Sequence, residues 1–141
     1  MELDYAAEWF KYADTDFATA EFLLSMHPCP MEIICYHCQQ SAEKFLKGYL
    51  IYRGVMEPPK THNLIFLHTM CQDMDNHFDE ISRACEALNR YGVQPRYPNE
   101  MEVQEQDMQK AVEYARQIRD SKPLIGARER ISQSSSQIYS C

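Results

Sequence analysis

The chain has 141 residues, 45% hydrophobic and 25% charged, with a formal net charge of −7 from 14 Lys+Arg against 21 Asp+Glu. That length suits one domain burying about two-thirds of its extended surface, and a chain with only four Gly has few hairpin turns, which disfavours an all-β fold. The acid excess argues against a general electrostatic binder of nucleic acid, while leaving room for a local basic groove.

No apolar run is long enough to span a bilayer, and the first residues, MELDYAAEWF, lack a basic region ahead of an apolar one. A cytoplasmic location is therefore expected, with the six Cys as free thiols.

The first predicted helix covers Asp4–Met26, with Tyr5, Ala6, Trp9, Ala13, Phe17, Ala20, Leu23 and Leu24 on one stripe. Pro28 and Pro30 end it. Asp16 interrupts the stripe, and because an unpaired buried carboxylate is costly it asks for a partner. The second helix, Met31 to Arg53, places Met31, Ile34, Cys35, Cys38, Ala42, Phe45, Leu46, Tyr49 and Tyr52 on one side and His37, Gln40, Lys44 and Lys47 on the other. Gly54 supplies its stop, and VMEPPKT makes a stiff connection.

Thr61 is the expected cap of a third helix, His62–Met74, with Leu64, Ile65, Leu67, His68 and Cys71 inward. Phe78–Tyr91 reads as a shorter fourth helix carrying Phe78, Ile81, Cys85 and Leu88, and GVQPRYPNEM as a loop. Val103–Asp120 reads as the last helix, with Met108, Ala111, Val112, Ala115 and Ile118 inward. The expectation is an all-α, single up-down bundle of four or five helices over residues 1–120, followed by a flexible polar tail over 121–141.

Four fragments in this order resemble the HEPN domain family, named for higher eukaryotes and prokaryotes nucleotide-binding. They are Ala13-x-x-Asp16-Phe17-x-x-Ala20, Gln40-x-x-Glu43-Lys44-x-x-Lys47, Lys60-Thr61-His62-Asn63-Leu64 and Arg96-Tyr97-Pro98. The resemblance covers Tyr5–Asp120. It implies a compact helical bundle, commonly dimeric and cytoplasmic, often encoded beside a small nucleotidyltransferase in prokaryotic toxin–antitoxin pairs. Other members are RNases or non-catalytic nucleotide- or RNA-binding modules. The RNase members carry an Arg followed by a His after four to six residues, both pointing into a dimer cleft. None of the Arg residues here (53, 83, 90, 96, 116, 119, 128 and 130) has a His at that distance.

The candidate ligand-binding residues are His37, Gln40, Lys44 and Lys47, where two ammonium groups beside an amide suit phosphate and a base or ribose. The bland alternative is a solvated face with Glu43 and Lys47 as an i,i+4 pair. Asp16 is expected to pair with Lys44 in a structural role. His62, at a helix start, could meet an anion together with free N–H groups, or could simply cap and pack. Arg96 and Tyr97 suit a nucleotide-site wall or a clamp onto the bundle.

Cys35 and Cys38 flank His37, but no second pair completes a tetrahedral metal set, so core packing is expected and no metal or cofactor is assigned. The leading expectation is a non-catalytic module for a nucleotide or RNA-like ligand, or for a nucleotidyltransferase partner, acting as a homodimer. The alternatives are a metal-independent RNase using His37 or His62 with Arg96, and a purely structural adaptor.

Overall fold

In α1 (Glu2–Leu23), Ala6, Phe10, Ala13, Phe17 and Ala20 recur at steps of three and four residues, and all five are buried. The computed structural model describes residues 2–92 and 102–139. Tyr5 and Leu24, expected in the α1 stripe, are both exposed, and Phe10, absent from the expected stripe, takes the inner place. Gly48 on α2 (Met31–Tyr52) explains the substitution. A Cβ at Gly48 would lie 2.7 Å from Phe10 Cε1 and 3.1 Å from Trp9 Cβ, so the bare glycine lets the Phe10 ring close against the α2 backbone. Contacts of Phe10 with Gly48 and of Asp16 with His37 show the two helices running antiparallel.

α2 is the central element and packs against each of the other five α-helices. Of its 22 residues 14 are buried, so its burial extends well beyond one stripe. Its C-terminus closes as the sequence suggests. Gly54 sits at φ +102°, its N–H donates to Ile51 O, and the Val55 N–H donates to Leu50 O, both at 2.9 Å. This left-handed stop satisfies two of the last helical carbonyls.

α3 (Leu64–Met74) starts two residues later than expected, and its cap is Asn63 in place of Thr61. Asn63 Oδ1 accepts from the N–H groups of Ile65 and Phe66 at 2.9 and 3.2 Å, while Thr61 Oγ1 accepts from the Asn63 N–H. Ile65 then points outward. The expected continuous fourth helix is broken into a 3-10 turn (Asn76–Ile81), α4 (Ser82–Leu88) and a second 3-10 turn (Asn89–Tyr91). Asp75 starts the first turn from an extended backbone, its carboxylate accepting the His77 N–H at 2.9 Å. α5 (Glu105–Arg119) buries the five residues expected of it, and Asp107 Oδ2 accepts the Gln104 N–H at its start.

The largest departure is the C-terminal segment. In place of a flexible tail, residues Lys122–Tyr139 form α6. Pro123, which by its residue type marks the end of helical structure, occupies the first turn of a new helix, where its missing N–H has no intrahelical partner to lose. Leu124 and Ala127 are buried and Ile131 half-buried, at helical spacing. Arg128 fastens α6: its guanidinium donates to the carbonyls of Leu124 and Arg119 and lies over the Phe45 ring, 5.2 Å from its centre. The bundle is all-α, with six α-helices among the described residues where four or five were expected. No described helix is long and apolar enough to cross a membrane.

Candidate functional site

The polar residues of α2 that the sequence singled out do not form one open stripe. They divide into two internal clusters on different sides of the helix. On the side facing α1, Asp16 receives two partners: Lys44 Nζ donates to Oδ2, and His37 Nδ1 lies 3.0 Å from Oδ1. Ser41 Oγ, about one turn from each, donates to the Ala13 carbonyl at 2.8 Å. Asp16 is itself almost buried, so the ammonium and the imidazole supply the partners that its position in the α1 stripe demands. The expected Asp16–Lys44 contact is present, and the His37 contact adds to it.

On the second side, Glu43 is the hub. Its Oε2 accepts from Lys47 Nζ at 3.1 Å and its Oε1 lies 2.9 Å from His62 Nδ1. Lys47 and Glu43 are both buried, with Lys47 Nζ 5.8 Å from the centre of the Trp9 ring. The sequence pattern places Lys47 on an outer face. The structure corrects this, because α1 and the loop before α3 cover that part of α2. A pair that would contribute only a few tenths of a kcal/mol on a solvated helix becomes a desolvated one, in which loss of either partner strands a charge.

Gln40 Nε2 donates to Gln39 Oε1 at 2.7 Å, and Gln39 Nε2 donates to the His62 carbonyl at 3.0 Å. His62 is thus held at its backbone and at Nδ1, while its side chain is 71% exposed. It does not share its helix start with free donors. The first-turn N–H groups of α3 are engaged by Asn63 Oδ1 and by Asn89 Oδ1, which accepts from Leu64 at 2.8 Å. Arg96 and Tyr97 lie outside the described residues.

Cys35 and Cys38 belong to the core. Burial pushes the Cys35 thiol up to about 12 and raises Cys38 as well, holding both in the protonated form, which is a poor metal ligand.

The chemistry available to the two clusters is therefore limited. His37 and Lys44, with side chains each 27% exposed, reach solvent at one edge, and His62 reaches it at another. The carboxylates of both clusters are already engaged by cations. Sequence reasoning missed Glu43 as a hub and the second role of Asp16. The one signal for Glu43 was its place three residues after Gln40 and four before Lys47, which put it on α2 with both.

A sequence comparison with family models matches the HEPN domain over residues 6–125. A search of curated proteins returned no significant match. The fold is similar to the crystal structure of TT1696 from Thermus thermophilus, with a TM-score of 0.69 at 21% identity, covering 88% of this chain and 96% of that one. With the family match extending over most of its length and the bundle just described, the chain belongs to the HEPN family.

Proposed function

We propose that this chain is a non-catalytic HEPN module that binds a nucleotide or RNA-like ligand, docks a small nucleotidyltransferase, or does both, as a cytoplasmic homodimer in a toxin–antitoxin-like pair. The observation that carries the non-catalytic reading is the lack, across the whole sequence, of an Arg with a His four to six residues beyond it. The closed clusters on α2 support it: Lys44 and Lys47 are neutralised by Asp16 and Glu43, so they serve first as helix ties. The solvent edge at His37 and Lys44 is where a ligand would meet this part of the signature.

Labelled RNA incubated with the full chain is expected to remain intact, and the chain is expected to elute as a dimer and to co-purify with a small nucleotidyltransferase encoded beside it. RNA cleavage that is lost in His62→Ala would overturn the reading. That outcome has one observation in its favour. His62 has Nδ1 against a buried carboxylate and most of its ring in solvent, the arrangement of an oriented general base.

A further inference from the structure

Of the five histidines, His62 alone joins a mostly exposed ring to a buried carboxylate. We propose that His62 is a modification site that accepts a phosphoryl group on Nε2. The donor is a small molecule with a good leaving group on phosphorus, a phosphoramidate or an acyl phosphate.

Glu43 Oε1 lies 2.9 Å from His62 Nδ1, and because a carboxylate accepts, Nδ1 carries the proton. In the neutral imidazole the Nε2 lone pair is then free, on a side chain that is 71% exposed. A ring whose opposite N–H rests on a carboxylate is more basic at its free nitrogen, and so a better nucleophile. The main chain is held separately: Gln39, fully buried, donates from Nε2 to the His62 carbonyl at 3.0 Å. Ring and backbone are thus both anchored to α2, with the reactive nitrogen left outside.

The other histidines each lack one part of this arrangement. His37 Nδ1 lies 3.0 Å from Asp16, but the ring is mostly covered. His68 is buried and uses Nε2 to donate to the Phe78 carbonyl at 2.6 Å. His77 Nδ1 is 2.8 Å from Asp75 Oδ1, an oxygen that also accepts the His77 N–H, and Asp75 is itself partly in solvent, where the pair is screened. His27 is exposed and has no carboxylate within ion-pair distance among the described residues.

The electrostatics suit an anionic donor. Lys47 Nζ sits 3.1 Å from the other oxygen of Glu43, so the approaching group meets a compensated carboxylate behind the ring. In the step, the Nε2 electron pair forms the N–P bond while the bond from phosphorus to the leaving group breaks. That group departs with the electron pair, as ammonia from a phosphoramidate or a carboxylate from an acyl phosphate. The ring becomes an imidazolium without losing a proton, and its Nδ1–H stays on Glu43, whose charge stabilises it.

The test is incubation of the full chain with potassium phosphoramidate, followed by intact mass, peptide mapping and phosphorus NMR. His62 is expected to react before the other histidines, at Nε2, and about tenfold faster than in an unstructured peptide spanning residues 58–66. Glu43→Gln with Lys47→Met, which removes the carboxylate without stranding the lysine, is expected to bring the rate down to that of the peptide. The comparison of wild type with peptide holds even if that variant misfolds. The proposal is overturned by a rate no greater than the peptide's, by earlier reaction at His27, His37 or His77, or by a product on Nδ1. It is also overturned if the double variant folds and reacts as the wild type does. RNA and a partner protein are absent from the experiment, so its failure leaves the ligand-binding and docking readings standing.

Discussion

Two sets of cations meet α2, and they are treated in opposite ways. Along its middle, Lys44 and Lys47 are tied to Asp16 and Glu43, acids that sit buried or nearly so between helices. Past its C-terminal end, Arg53 joins Lys122 and Arg130 around a groove where the partners are tyrosine hydroxyls and a carbonyl. The first arrangement neutralises charge and fixes helix positions. The second fixes the side chains and leaves the charge in place. A cation's contribution to this fold thus depends on whether an acid was enclosed with it. Removing a tied cation or its acid should disturb stability, whereas removing an untied one should leave it nearly unchanged.

Glu43→Ala puts that contrast under the greatest strain. It leaves Lys47 buried without its acid and frees His62, and it is expected to cost about 3–5 kcal/mol in urea unfolding. Adding Lys47→Met to that variant should recover much of the loss, since an apolar replacement removes the stranded charge. Recovery that fails would mean Glu43 acts through His62 and not through Lys47.

Asp16→Asn comes next. Its partners reach solvent, so screening reduces the effect to about 1–2 kcal/mol by the same measurement. An unchanged midpoint would show that the Asp16 cluster holds nothing.

The groove should respond differently. Arg130→Met and Lys122→Met are expected to stay within about 0.5 kcal/mol of the wild type in unfolding. A large destabilisation would put the groove cations in the same structural class as Lys47.

The smallest effect is a pH dependence at the groove's edge. The His77 backbone N–H, with its imidazole, holds the Asp75 carboxyl below the usual carboxylate range. A carboxyl with a depressed folded pKa adds stability that is present above its unfolded pKa of about 3.9 and is lost as pH falls through the folded value. Thermal midpoints are expected to fall with acid over that window, and Asp75→Asn should flatten this part of the slope.

Much of this is legible in the sequence where one helix can be judged by itself. The inward residues of α5 follow its periodicity, and Gly54 marks the end of α2. Asp16 is readable because a carboxylate in an apolar stripe must find a partner. Phe10 is not, because its inward place depends on a glycine 38 positions later, whose bare backbone admits the ring. α6 escapes notice because its buried residues are few and its Ser- and Gln-rich stretch resembles a solvated tail. The spacing of Lys122, Gly126 and Arg130 at four-residue steps is the available sign that one face of a helix lies there.

An all-α chain of the HEPN family with α2 at its centre follows from the sequence alone, because helical periodicity and the ordered motif fragments are local properties. Which polar groups of α2 are enclosed, and which cations remain uncompensated, was settled by tertiary packing. The acid that neutralises Lys44 lies 28 residues away on another helix. The cations that accompany Arg53 come from a helix near the other end of the chain. Burial and pairing are relations between segments, and no pattern within one segment can state them.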